Sequence, residues 1–271
     1  MNSTSKVMML AAVSAAILCG ALVSGPQLAM AGQNEQKNNN DNKQNKRSDA
    51  ATPLKEAKLN IEHNAKDNDT GFQGFIDSEG WKRITASGPD GKVLDFRGAG
   101  DLGKLGLTEL FFESVEPENA DVPLDELLET LPEGNYEFKG SGIEVGEKTG
   151  RTIGTALLTH DIPAGPKLIS PAEDAVVPVK DLLVRWSPVD KTIDGRDVNI
   201  IAYQLIIEKD EEPHPHMIGK FGLSMYLPAT TTQIKIPAKF FEPGTDYLWE
   251  VLAIEESGNQ TLVSSQFSTK G

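Results

Sequence analysis

The chain has 271 residues, with 26 Lys and Arg against 40 Asp and Glu, which gives a formal net charge of −14. Nucleic acid and anionic membrane surfaces repel such an acidic chain, so we expect neither as its main partner. Its 25 glycines and 16 prolines are ordinary usage, which excludes collagen and a wholly disordered chain.

Residues 1–31 have the three parts of a secretory signal peptide. Lys6 supplies the positive start, an apolar run covers residues 7–23, and Ala29-Met30-Ala31 offers small residues for cleavage. The run is short for a membrane span, which needs about 20 apolar residues, although an uncleaved anchor is the alternative. We therefore predict an exported protein, periplasmic or extracellular, that starts at Gly32 and keeps no membrane span after signal cleavage.

The single cysteine, Cys19, lies inside this segment. Leu18 stands where a bacterial lipoprotein signal has a small residue, so Cys19 is interpreted as an apolar residue of the signal peptide. The mature protein then has no disulfide, thiol nucleophile or thiolate metal site. Residues 32–56 are rich in Asn, Gln and Lys and contain no Val, Ile, Leu or aromatic residue as far as position 53, which predicts a disordered linker.

The first domain is predicted over residues 57–165. Alternating runs predict strands, and Gly88-Pro89-Asp90-Gly91 between two of them predicts a hairpin turn. Residues 121–131 place four leucines on one helical stripe, with Asp121 as the expected N-cap. We interpret this domain as an immunoglobulin-like sandwich with one short helix. A short Pro-rich joint over residues 160–166 should limit hinge motion.

The second domain is predicted over residues 166–271. Short runs with a period of two, separated by turn residues and without helix signals, predict a sandwich or barrel. They cover residues 183–186, 200–207, 232–236, 247–253 and 261–267.

Four segments of this domain resemble the fibronectin type III family, in the family's order. They are Trp186-Ser187-Pro188, residues 201–205, residues 241–251 and residues 256–259. The resemblance implies that the Tyr247 hydroxyl bonds to the upstream backbone at a corner between sheets. The loop over residues 209–222 is longer than usual, and no Arg-Gly-Asp triplet is present, so integrin-type adhesion is not implied. The predicted fold class is all-β, with two β-sandwich domains after the signal peptide and linker.

Four aromatic residues of the second domain can be interpreted in two ways. They could form a platform on which sugars stack, or they could pack in the core of the domain. Each lies in phase with the apolar face of its own strand, as Trp186 does with Val184. This phase favours the core for all of them. The residues are Trp186, Tyr203, Tyr247 and Trp249.

The sequence contains only weak matches to known catalytic motifs. The segment Gly98-Ala99-Gly100-Asp101-Leu102-Gly103 has the form GxGxxG but no βαβ context, so a turn explains it better. The acids Glu109, Glu113, Glu116 and Glu118 could do glycosidic acid–base chemistry, or could be a solvated strand end. His214 and His216 flank a proline in an acidic loop and could bind zinc or copper. A solvated loop without a metal is the favoured interpretation. We predict that the protein is not an enzyme.

One further metal candidate lies in the opening loop of the first domain. Asp67 and Asp69 offer oxygen ligands of the kind calcium prefers, and His63 and His160 would join them if the first and last strands of the domain are neighbours. The spacing fits an EF-hand loop poorly, and an Asx turn that caps the strand ends is the alternative.

These features predict an exported, non-enzymatic binding or scaffold protein that engages another protein or a cell-envelope polymer. The alternative is a carbohydrate- or calcium-dependent binding module that accompanies an extracellular enzyme. A small hydrolase using the Glu109–Glu118 acids is a third hypothesis. The sequence leaves the partner and the oligomeric state open.

Overall fold

Strands make up most of the computed structural model, which describes residues 51–142 and 150–271. The predicted all-β fold class is therefore confirmed. The predicted signal peptide and residues 32–50 of the predicted linker lie outside the described residues. Within the described ranges, no helix combines the length and the hydropathy that crossing a bilayer requires.

Two separate hydrophobic cores divide the described chain into two modules. The strands of the first module are β1 (Thr52–Pro53), β2 (Glu56–Asn64), β3 (Asp69–Gly88), β4 (Gly91–Arg97), β5 (Leu107–Glu113), β6 (Gly134–Gly142) and β7 (Arg151–Leu158). Its helices are α1 (Gly100–Leu105) and α2 (Leu124–Glu129).

The first strands of the described chain begin before residue 57, within the end of the predicted linker. Strand β1 pairs in parallel with β7, and β2 already starts at Glu56. The Leu54 side chain is buried in the first core, and its N–H donates to the Ile153 carbonyl at 2.8 Å. Two paired residues and one buried leucine are too short a pattern to be recognised as a strand in the sequence.

The long strand β3 belongs to both layers of the first module. Its first part pairs with β2 and β5, and its second part pairs with β4 and β6. Shifts of register between Asp77 and Arg83 mark the bend between the parts. The module is therefore one continuous bent sheet, whereas the immunoglobulin-like interpretation expected two separate sheets. Alternation along a strand cannot reveal that the same strand serves both layers.

Several local elements of the first module agree with the predictions made from the sequence. Strands β3 and β4 form the predicted hairpin, and Gly91 has the positive φ (+115°) that its turn requires. Helix α2 packs its leucines against the first core. It begins after Pro123 rather than Asp121, because the backbone of Pro123 is still outside the helical region (ψ 140°). No side chain caps this helix start. The last four residues of the glycine motif, Gly100 to Gly103, are the start of α1, where the sequence predicted only a turn.

The second module has the fibronectin type III-like fold that the resemblance implied. One sheet contains β8, β10 and β13, and the other has the order β15-β14-β11-β12, with β9 beside β15. The strands are β8 (Leu168–Ser170), β9 (Ala175–Val177), β10 (Leu182–Trp186), β11 (Ile200–Lys209), β12 (Gly222–Pro228), β13 (Gln233–Ile236), β14 (Asp246–Glu255) and β15 (Gln260–Thr269).

The four aromatic residues singled out in the second module all lie in its core. Trp186, Tyr203, Tyr247 and Trp249 are each at most 2% exposed, which leaves no face for a sugar. The Tyr247 hydroxyl accepts a hydrogen bond from the Glu242 N–H at 2.8 Å, in the corner arrangement implied by the resemblance.

The two modules are joined by strand pairing. Strand β15 of the second module pairs in parallel with β2 of the first, with Gln260 opposite Glu62. The fully buried Asn259 accepts the Ile61 N–H at 2.8 Å and donates to the Thr159 carbonyl at 2.9 Å. Residues 51–271 accordingly form one compact unit.

The hydroxyl of Tyr247 should contribute measurably to the stability of the second module. Tyr247→Phe leaves the Glu242 N–H without its acceptor, so we expect the free energy of unfolding to fall by about 1–2 kcal/mol in urea denaturation. Tyr226→Phe is the control, because Tyr226 is half-exposed on β12 and should change stability by less than about 0.5 kcal/mol. Equal effects of the two substitutions would contradict the role of the corner.

Candidate functional site

Strand register places two glutamates on one face of the first module's sheet. Glu62 of β2 lies opposite Gly71 of β3, and Gln73 of β3 lies opposite Glu113 of β5. Residues two apart on a strand share a face, so these four residues form one patch on the face opposite the buried Phe72.

A third glutamate reaches the patch because Gly71 has no side chain. A Cβ atom at Gly71 would lie 2.6 Å from Cγ of Glu116, so any larger residue would displace the Glu116 side chain. One carboxylate oxygen each of Glu62, Glu113 and Glu116 lies within 4.8 Å of the other two. We refer to these three residues as the glutamate cluster.

The second module closes the glutamate cluster on one side. Gln260 of β15 donates from Nε2 to Oε2 of Glu62 and, at 3.1 Å, to Oε1 of Gln73. Gln73 in turn donates from Nε2 to Oε1 of Glu113 at 3.1 Å. The cluster therefore lies at the junction of the modules, and amide donors satisfy two of its three carboxylates.

The electrostatics of the cluster favour neutralisation of its charge. Burial is the main cause that raises the pKa of Glu62 to about 7, and the nearby Glu113 adds to the increase while the Gln260 hydrogen bond opposes it. Burial, followed by the charges of Glu62 and Glu113, raises the pKa of Glu116 to about 8. Ionisation of all three adjacent carboxylates is unfavourable without a counter-charge, because their negative charges repel one another.

Buried oxygens without hydrogen-bond partners lie in and beside the cluster. Oε1 of Glu116 has essentially no solvent-accessible surface and accepts no hydrogen bond, and the same is true of Oδ1 of Asp69 and Oδ1 of Asn119. Burial raises the pKa of Asp69 to about 6. Buried polar atoms without a partner are rare in folded proteins and call for an explanation.

The same face of the sheet carries another buried carboxylate in the second module. Burial raises the pKa of Glu250 on β14 to about 7, with a further increase from Glu208 and an opposing effect of Lys220. The charge of Glu250 also contributes to the raised pKa of Glu62. The acidic face therefore continues across the junction.

The residues predicted as a calcium site do not form one group. Asp67 accepts a hydrogen bond from the Asn64 side chain, and Asn64 Oδ1 accepts the backbone N–H groups of Lys66 and Asp67. The alternative Asx turn is thus present at this position. Asp69 is the first residue of β3, although the sequence placed it in a loop.

The two histidines of the predicted calcium set have different neighbours. Nδ1 of His63 lies 2.9 Å from the Thr70 hydroxyl and 3.0 Å from the Asp69 carbonyl. Nε2 of His160 lies 2.9 Å from the Leu131 carbonyl. Within the described residues, the group of side chains close enough to hold a metal is the glutamate cluster instead.

The remaining predicted candidates lie apart from the cluster. His214 and His216 are exposed, with ring centroids 5.5 Å apart. Of the four acids considered for hydrolysis, Glu113 and Glu116 belong to the cluster, whereas Glu109 and Glu118 are exposed. Glu62 was missed, although the Asn64–Asp69 turn fixes the register that places it opposite Gly71.

Comparisons with known proteins identify no family for this chain. No family model matches it, and no curated protein matches it. A crystal structure of the chicken CNTN1 FN1-FN3 domains is similar over 82% of this chain and 68% of that chain, with 12% sequence identity and a TM-score of 0.31. A similarity this low carries no argument about the site.

The cluster should make stability depend on pH. The folded pKa values of Glu62 and Glu116 (about 7 and about 8) exceed the ordinary value of 4.5, so the folded state binds more protons between these limits. In chelator, we therefore expect the melting temperature to fall as pH rises from about 5 to about 8. Glu116→Gln should flatten this dependence and Glu109→Gln should not. A wild-type protein with a constant or rising melting temperature over this range would contradict the expectation.

Proposed function

We propose that this chain is an exported, non-enzymatic binding protein whose two β modules act as one rigid scaffold. The observation that carries the proposal is the shared sheet, in which β15 of the second module continues the first module beside β2. A rigid pair of β modules holds its loops and strand edges at fixed positions, as a scaffold for another protein or an envelope polymer requires. Export rests on the predicted signal peptide.

The free edge of β12 supports a protein partner. Strand β12 is the last strand of its sheet, so its outer edge has no neighbouring strand among the described residues. Several apolar side chains beside this edge are exposed, namely Met217, Ile218, Phe221 and Tyr226. An unpaired edge with exposed apolar residues suits an extended segment of a partner protein, which would add to the sheet as a further strand.

Hydrolysis by the glutamate cluster is less well supported than binding. A catalytic acid must touch the substrate, whereas Oε1 of Glu116 is enclosed by the protein and Gln260 covers Glu62. The calcium-dependent alternative has a specific observation in its favour, the glutamate cluster itself.

The edge of β12 can be tested with matched surface variants. The mature protein is recovered from the envelope fraction of a bacterial host, where its amino-terminal sequence should start at Gly32. Phe221→Ser/Tyr226→Ser should lose chemical cross-linking to the envelope protein that the parent captures. Phe240→Ser is the control, because Phe240 is 49% exposed and Phe221 is 51% exposed.

Three results would count against this binding mode. They are capture that survives the double substitution, capture that is lost in all variants alike, and cross-linking that joins only copies of this chain. A protein that stays in the cytoplasm or keeps its first 31 residues would contradict export.

A further inference from the structure

Strand register places three arginines in one row on the outer face of the first module. Arg97 of β4 lies opposite Arg83 of β3, Arg83 lies opposite Ser141 of β6, and Ser141 lies opposite Arg151 of β7. Successive side chains of a strand alternate, so this row faces away from the core that contains Ile84. All three arginines are exposed. We refer to them as the arginine row.

The protein neutralises only part of the charge of this face. Asp95 accepts hydrogen bonds from Nε and Nη2 of Arg83 at 2.7 and 2.6 Å, and from Nζ of Lys92 at 3.0 Å. Asp95 therefore serves two cations, and within the described ranges no ion pair joins Arg97 to an acid. Like charges directly opposite on neighbouring strands repel, so Arg97 beside Arg83 is unfavourable without a further anion.

The face attracts anions although the whole chain has a net charge of −14. Charges separated by more than the Debye length, about 8 Å at physiological ionic strength, are largely screened in water. Close to the arginine row, the local surplus of basic side chains therefore outweighs the distant acids. The basic side chains described on this face are Arg83, Lys92, Arg97, Lys139 and Arg151, and the acidic ones are Asp95 and Glu137.

The length of the row favours a linear polymer over a single small anion. Arg97 and Arg151 lie on strands three spacings apart, which places them about 14 Å from each other. The described residues of this face include no aromatic side chain. The face therefore lacks the anchors that dominate protein interfaces and the platforms on which single-stranded nucleic acid stacks its bases.

The geometry at Arg83 favours phosphate over carboxylate as the anionic group. Asp95 occupies Nε and Nη2 of Arg83, which leaves the N–H groups of Nη1 for a second acceptor. A tetrahedral phosphate can accept from Nη1 of Arg83 and from the guanidinium of Arg97 without displacing Asp95. A carboxylate that uses the same fork of Arg83 has to replace Asp95, and it gains little by that exchange.

We propose that the arginine row binds a linear polymer whose repeating anionic groups are phosphates. Arg97 and Arg83 share one phosphate, and Arg151 holds another farther along the polymer. This inference names a class of polymer within the proposed scaffold function, and its setting in the cell envelope rests on that proposal. The edge of β12 takes no part in it.

Binding to immobilised linear polyphosphate tests the arginine row. The chain without the predicted signal peptide, residues 32–271, should bind saturably in biolayer interferometry at pH 7 and 50 mM NaCl. Affinity should fall by about tenfold between 50 and 150 mM NaCl, because a few ionic contacts are screened. Arg97→Gln/Arg151→Gln should weaken binding by about tenfold or more, and Arg97→Gln alone should weaken it less.

Matched variants separate this site from general charge attraction. Arg185→Gln/Lys235→Gln removes the same charge from the exposed face of the β10–β13 pair in the second module, and it should bind polyphosphate like the parent. Phe221→Ser/Tyr226→Ser should also bind like the parent, which distinguishes a failure of this inference from a failure of the β12 edge. The substituted arginines and lysine are exposed, so the melting temperatures should change little.

Several results would overturn the proposal. They are absence of polyphosphate binding at 50 mM NaCl, full binding by Arg97→Gln/Arg151→Gln, and an equal loss in Arg185→Gln/Lys235→Gln. Tighter binding of polygalacturonate than of polyphosphate would show a carboxylate polymer instead. Tighter binding of single-stranded DNA would show a nucleic acid site, and cross-linking of this face to an acidic protein without polyphosphate binding would show a protein partner.

Discussion

The parallel pairing of β2 with β15 is the contact on which the arrangement of the molecule depends. It covers three residue pairs, and the buried side chain of Asn259 extends it by accepting the Ile61 N–H. Thr261 adds a hydrogen bond of 2.5 Å to the Pro163 carbonyl in the segment that connects the modules. Side-chain amides and hydroxyls thus satisfy backbone groups that the end of the pairing would otherwise leave buried and unpaired.

This pairing also creates the environment of the glutamate cluster. In an isolated first module, Glu62 would lie on the free edge strand β2 with access to water. In the joined molecule Gln260 donates a hydrogen bond to Glu62, and burial raises the pKa of Glu62 to about 7 although that hydrogen bond opposes the increase. The cost of burying Glu62 is therefore a consequence of joining the modules, whereas Glu116 is held within the first module, over Gly71. The pair of Glu62 and Gln260 therefore links the arrangement of the modules to the candidate site.

The sequence was sufficient where local pattern decides structure. Alternation, the corner motif and the leucine stripe predicted the all-β class, the fibronectin type III-like module and α2, and all three are present. It was insufficient where distant segments meet. The pairing of Gln260 with Glu62 joins residues 198 positions apart, and the approach of Glu116 depends on space above Gly71. The four predicted calcium ligands are linked by nearness along the chain or by an expected strand contact, whereas the glutamate cluster arises from sheet register.

Hydrogen exchange at the junction tests the central claim most directly. The Ile61 N–H faces the second module and donates to Asn259 at 2.8 Å, and the Ala65 N–H donates to the Leu262 carbonyl at 3.0 Å. If the modules form one rigid unit, both amides should exchange as slowly as amides in the centre of the β11–β14 pair. Exchange of Ile61 and Ala65 at the rate of exposed loop amides, while both cores stay protected, would show that the modules separate in solution and would contradict the account.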